Sequence, residues 1–326
     1  MSNSKRPFLA VSLLALAAGC GTDEIATDDP HARLETPAAA PDTVQTQPAS
    51  RELLTLASFP AGTFLENMDR LPDGDLVVTS YFDKKLLRVT ESGDVSTLAQ
   101  LIDHPVGVLV VEDALIVSVQ GAPFSDAPDF MDTNAVAIFG LDGETRAKTA
   151  APEARFLNGL HLLPDGTVLV ADSIIGVLWA VDKTSGALSL WARAEELGID
   201  PDNPAFLPGA NGVKTFGGAL YVSNSSKGAI FKRPLGSDGG FERHATTGAV
   251  DDFAIAADGT IYATTHGAAL LKVAPDGVVS ALIEDGCDGC TSVLFSNNGD
   301  RLIVANDGNL FEGAPGETRI FAVAID

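Results

Sequence analysis

The chain has little of several things, and each shortage excludes a class of function. It has three cysteines and five histidines in 326 residues. A thiolate-based metal centre needs a second Cys/His pair, and none stands near Cys287 and Cys290. Basic residues are scarce: 21 Lys and Arg face 44 Asp and Glu, for a formal charge of −23. Phosphate backbones are bound by basic surfaces, so nucleic acid is excluded as a partner. No apolar run beyond residue 20 is long enough to cross a bilayer. There is no Gly-x-Ser-x-Gly elbow and no phosphate-cradling glycine loop. Helical periodicity is nearly absent; only "ARAEELG" (192–198) predicts a turn or two of helix.

What is present starts with the ends. Lys5 and Arg6 precede an apolar stretch from Phe8 to Ala18, followed by Gly19-Cys20. This order resembles a bacterial lipoprotein signal over residues 1–20, with Cys20 as the lipidation site. It predicts a protein held to the bacterial cell envelope by lipid, on the periplasmic or outer-membrane face. The alternative is an ordinary secretory signal and a secreted product. The membrane enters only through that N-terminal anchor. Residues 21–50 are rich in Ala, Pro, Thr and Asp, with almost no large apolar side chains, and predict a disordered tether. In an oxidising compartment Cys287 and Cys290 of "GCDGC" predict a small-loop disulfide.

Residues 51–326 repeat. "ENMDRLPDGDLVV" starts at Glu66, "VGVLVVEDALIV" at Val106, "NGLHLLPDGTVLV" at Asn158 and "NGVKTFGGALYV" at Asn211. "DDFAIAADGTIYA" starts at Asp251 and "TSVLFSNNGDRLIV" at Thr291. Each reads as strand, tight turn, strand; Asp-Gly and Gly-Gly pairs tolerate the positive φ that such turns need. A third strand and often a fourth follow. Six four-stranded units predict an all-β, six-bladed β-propeller. "LLTLASF" (53–59) is expected to pair beside "TRIFAVAI" (318–325) and close the ring.

The innermost strand of a propeller blade lines the axial channel. The six repeat starts therefore form a ring: Glu66, Val106, Asn158, Asn211, Asp251 and Thr291. Two carboxylates and two carboxamides converge there from four blades, and no Lys, Arg or His holds a ring position. Like charges brought together out of water need a cation or a proton between them. A hard divalent ion suits an all-oxygen set, with calcium first and magnesium or another divalent ion as alternatives. The competing reading is that Asn and Asp at strand starts merely bond nearby backbone.

The stretches "FLENMDRLPDG", "FLNGLHLLPDGTVLVADS", "GANGVKTFGGALYVSN" and "VDDFAIAADGTIYATTHG" resemble the SMP-30/gluconolactonase family of propellers and its organophosphate-hydrolysing relatives. The resemblance covers about residues 60–326. It implies that Glu66, Asn158, Asn211 and Asp251 bind a catalytic calcium. It departs at Glu66-Asn67-Met68, where many members have Glu-Gly-Pro, and at Asp251-Asp252-Phe253, where many have Asp-Gly-Met. The expected activity is calcium-dependent hydrolysis of a lactone or related ester, with a small molecule as the partner. Asp251 is the candidate base or nucleophile. Asp252 is a second candidate that strand alternation would turn away from the channel. Thr291, Ser292, His104 and His266 are candidates for binding substrate. His161 is expected between blades and His244 on the surface. Two other readings stand beside this one: a non-catalytic envelope scaffold, and a metal-free propeller enzyme acting on an apolar substrate.

Overall fold

A computed structural model describes residues 51–126, 129–203, 207–310 and 316–325. The predicted signal, Cys20 and the tether lie outside the described residues. Among those described there is no α-helix, only two short 3-10 turns at Phe124–Asp126 and Asp129–Asp132. No helix among them is long and apolar enough to cross a membrane. Six four-stranded antiparallel sheets carry the rest. Their innermost strands are Leu65–Arg70, His104–Val111, Leu157–Leu162, Ala210–Phe216, Val250–Ile255 and Cys290–Phe295, here called blades 1 to 6 in that order. Each inner strand touches the next, and blade 6 returns to blade 1. The molecule is a six-bladed β-propeller.

Closure joins the two ends of the folded region. Leu53–Phe59 forms the outermost strand of blade 6, antiparallel to Thr318–Ala324. The predicted helix at 192–198 is instead part of a long outer strand, Leu188–Gly198, paired with Ile175–Val181 in blade 3. Ala and Glu are good helix formers, but intrinsic preference is worth only tenths of a kcal/mol per residue, and a row of partnered backbone bonds outweighs it.

The strands read as continuous apolar runs because both faces of each blade are buried. In "VLVA", Val168 and Val170 pack toward blade 2, while Leu169 and Ala171 pack toward blade 4. This is period-two alternation between two dry surfaces. Six apolar clusters result, one per blade interface. A seventh lies at one end of the ring, around Phe64, Tyr81, Val106, Phe130 and Phe156.

Every inner strand also slips against its second strand at the ring position. The register shifts between Leu65 and Met68, Pro105 and Val108, Leu157 and Leu160, Ala210 and Val213, Val250 and Phe253, and Cys290 and Ser292. Such a bulge leaves backbone groups without ladder partners. Hydroxyls one strand out supply them. Ser118 Oγ accepts from Gly107 N at 2.8 Å and donates to Asn158 O of the next blade at 3.0 Å. Ser223 does the same between Gly212 N and Asp251 O, and Thr264 between Asp252 N and Thr291 O. Thr79 bonds Asn67 N and Val106 O. Neighbouring blades are thereby stitched at the ring by second-strand hydroxyls bonded to backbone.

Candidate functional site

The loops that enter each inner strand, and those joining second to third strands, lie at the ring end of the blades. Among the described residues, the opening of the channel is therefore built from segments such as 80–85, 121–126, 129–133, 173–174, 225–228, 266–269, 307–310 and 316–317. Glu66, Asn158, Asn211, Asp251 and Thr291 are all nearly buried, as is Val106. Glycine follows three of the ring residues because the blades approach closely. A Cβ on Gly159 would stand 2.5 Å from Asn211 O, and one on Gly212 would stand 2.6 Å from Asp252 Oδ1.

The acids form one electrostatic cluster. Burial pushes Glu66 up to about 8, with Asp307 and Asp252 adding to the rise. Burial also raises Asp251 well above the usual carboxylate range, reinforced by Glu66, Asp252 and Asp307; a hydrogen bond from Asn211 opposes it. Asn211 Nδ2 donates to Asp251 Oδ1. Asn158 Nδ2 is buried with no hydrogen-bond partner.

Asp252 is not turned out of the channel as alternation predicts. The bulge takes up the extra residue, so Asp251 and Asp252 both stay inside the ring and differ in their partners. Asp252 Oδ1 meets Lys214 Nζ at 2.7 Å, and its Oδ2 accepts from Ser292 Oγ at 3.1 Å. Lys214 stands three residues after Asn211 on an inner strand, so a cation does reach the acids although none holds a ring position. It lies past the repeat start, at a position where no other blade has Lys or Arg.

His266 comes from the blade 5 loop. Its Nδ1 lies 3.7 Å from Asp251 Oδ2 and its Nε2 lies 3.2 Å from Ser225 Oγ. Ser225 Oγ already donates its one proton to Val250 O at 2.7 Å, so it accepts from Nε2–H. Nδ1 is thus the bare nitrogen, turned toward Asp251. Enclosure pushes His266 down to about 4, which keeps it neutral at physiological pH.

The other candidates are placed differently. Thr291 Oγ1 donates to Leu65 O at 2.7 Å and stitches blade 6 to blade 1, so its hydroxyl is a backbone clasp. Ser292 is engaged by Asp252. His104 is buried, with Nδ1 3.1 Å from Tyr81 O and its ring 4.9 Å from the Tyr81 ring, in the aromatic cluster and not beside the acids. His161 bonds Thr215 Oγ1 of blade 4 at 2.9 Å; burial, then Lys214, pushes it down to about 3. His244, on the outermost strand of blade 4, is half-buried, with its ring 5.3 Å from that of Tyr221. Cys287 and Cys290 are disulfide-bonded, with Cα atoms 5.3 Å apart. Asp307 and Ser225 escaped the sequence reading; both follow second strands, in "ANDG" and "SNSS", outside the repeat position.

Among the described residues, no three His, Cys, Asp or Glu side chains make a ready metal cluster. The ring acids could hold a cation only with help from amide oxygens. Asn158 and Asn211 supply those, giving an all-oxygen set that fits a hard divalent ion.

A scan of protein-family models and a search of curated proteins each find no match to the chain. Solved structures do match. A gluconolactonase from Xanthomonas campestris superposes with a TM-score of 0.63 at 16% identity, over 85% of this chain and 92% of that one. The fold is that of the gluconolactonase-type propellers. A luciferin-regenerating enzyme gives 0.63 at 14% identity, over 84% and 95% of the two chains. A virginiamycin B lyase from Staphylococcus aureus gives 0.56 at 11%, over 84% and 99%. These neighbours carry out different chemistries, so the likeness speaks for the fold and leaves function to the side chains.

Proposed function

We propose that this protein hydrolyses a lactone or a related ester, with a calcium ion held by Glu66, Asn158, Asn211 and Asp251. The observation that carries the reading is the imbalance of buried charge. Burial and the charges of Asp252 and Asp307 raise both Glu66 and Asp251, Glu66 adds to the rise of Asp251, and among the described residues the Lys214 ammonium that reaches them pairs with Asp252. Asp251 has the Asn211 amide and the neutral His266 imidazole beside it, and among the described residues neither it nor Glu66 has a Lys or Arg partner. Calcium, when bound, would polarise a carbonyl oxygen and stabilise the charge developing on it.

The chain's own groups account for the proton. Water adds to the carbonyl carbon and the acyl C–O bond breaks. The water proton passes to Asp251 Oδ2 or His266 Nδ1 and then to the departing alkoxide, leaving a hydroxy acid or an acid and an alcohol. Ser225 fixes the His266 tautomer that can accept it. Calcium titration calorimetry on the chelated protein, beside Glu66→Gln, tests the proposal. One-site binding that the variant loses, together with turnover of a lactone panel, supports it. A folded parent that binds no calcium sinks it.

A second reading rests on the bare Nδ1 of His266 facing a carboxyl with a raised pKa. That pair can share a proton without any metal. Hydrolysis that survives complete chelation would select this reading.

A further inference from the structure

The mouth of the channel is divided. Around blades 4 and 5 the loops carry Ser225, Ser226 and His266 over Asn211 and Asp251. Around blades 1 to 3 the equivalent segments carry aromatic side chains. Phe64 enters blade 1 two residues before Glu66, and Phe156 enters blade 3 two residues before Asn158. Tyr81 and Phe82 form the blade 1 loop; Phe124 and Phe130 belong to the blade 2 loop. These residues make one connected apolar cluster, and Val106 of the ring belongs to it, so the cluster reaches the axis. Phe64 packs edge-on to Tyr81 and Phe124 at 5.7 and 5.8 Å, and Phe82 lies 5.5 Å from Phe124. Phe82, Phe124, Ile174 and Leu310 stay only partly buried. They leave apolar surface uncovered at this end of the ring.

Spare polar capacity in this half is small. Tyr81 Oη donates to Gln120 Oε1 at 2.5 Å and accepts from Phe124 N at 2.8 Å. Gln120 Nε2, and Asn158 Nδ2 at the ring, are buried with no hydrogen-bond partner. Two amide donors cannot serve a polyhydroxylated ring, whose hydroxyls would mostly lose water without a replacement bond. They suit an apolar group carrying one or two acceptors.

Resting on the hydrolase reading, we propose that the substrate is a lactone or ester bearing an aromatic or alkyl substituent, and not a sugar lactone. The reacting carbonyl lies on the Asp251–His266 side. The substituent lies against Phe82, Phe124 and Leu310. Specificity on this account comes from apolar burial, which grows with each methylene added.

The test is a substrate series on the full chain: γ-lactones with increasing alkyl side chains, phenyl acetate, and glucono-δ-lactone. Phe82→Ser and Phe124→Ser are made in parallel; both side chains are partly exposed, so the fold should tolerate them. The expected result is a rise in kcat/KM of about 3-fold per methylene, a flattened rise in both variants, and negligible turnover of the sugar lactone. Equal or better turnover of glucono-δ-lactone, or variants that leave the chain-length dependence intact, overturns the proposal. If nothing in the series is hydrolysed, the hydrolase reading fails by itself. A binding arm then decides the pocket: calorimetry with γ-lactams of the same side chains. Chain-length-dependent affinity that Phe82→Ser weakens keeps the apolar subsite; no binding of any lactam removes it.

Discussion

Blades 2 and 5 have the same four strands in the same order, and the same bulge at the ring. At that bulge blade 2 has Val106-Gly107 and blade 5 has Asp251-Asp252. The backbone solves its problem identically in both. Ser118 in blade 2 and Thr264 in blade 5 each satisfy an amide of the bulge and reach the next blade's carbonyl. The ring side chain has no part in that arrangement. A valine serves in one blade and an acid in the other, so the acid at blade 5 answers to something other than folding. Asp172, buried in blade 3, makes the contrast plain: its oxygens accept from the amides of Arg155, Phe156 and Ile174, and it is a structural acid. Asp251 takes one side-chain bond, from Asn211, and sits among other acids.

The largest expected effect comes from making blade 5 more like blade 2 in charge alone. Asp251→Asn should reduce turnover by about three orders of magnitude or more, as loss of a transition-state group does. The metal-free protein should keep or raise its Tm, because the substitution removes like-charge repulsion and retains the acceptor for Asn211. A variant that unfolds would show that the acid is structural after all.

Second is the pH dependence of the chelated protein. Glu66 rises from 4.5 to about 8 on folding, so the folded state holds its proton where the unfolded state has lost it. Its contribution is complete below pH 4.5 and disappears as pH rises through about 8. The Tm should fall over that window, calcium should restore it, and Glu66→Gln should flatten the fall. His161, pushed down to about 3, acts in the opposite direction by favouring unfolding below about pH 6.5. Thermal scans from pH 4 to 9 separate the two.

Third, Lys214→Met leaves Asp252 nearly buried without its ammonium and should cost roughly 3 kcal/mol in denaturant unfolding. Lys214→Met with Asp252→Asn should recover much of it. A single variant as stable as the parent would show that the pair is not coupled. The smallest effect is expected from the stitches. Ser118→Ala should cost about 1 kcal/mol, and so should Ser223→Ala, although one stitch leads to Asn158 and the other to Asp251. A much greater loss at Ser223 would mean that the polar half is built differently.

Much of the propeller is legible in the residues. Dry surfaces on both faces make strands such as "VLVA" uniformly apolar, and turn glycines mark the blade period. The ring set is legible because a repeat places equivalent residues at equivalent depth. Residues 192–198 look helical in sequence because an isolated run of Ala and Glu carries no sign of the strand it will pair with. Lys214 and Asp307 illustrate the other limit. The acids they meet come from other blades, and no spacing along the chain expresses that.

The sequence by itself therefore determined the all-β class, the six blades, the closure by residues 53–59 and the identity of the polar ring, because each follows from local periodicity and composition. Only the tertiary structure decided that Asp251 and Asp252 have different partners, that His266 turns a bare nitrogen to the acids, and that the mouth is aromatic on one side. Those are matters of distance between segments apart in the chain, and distance is set by the folded blades and the closed ring.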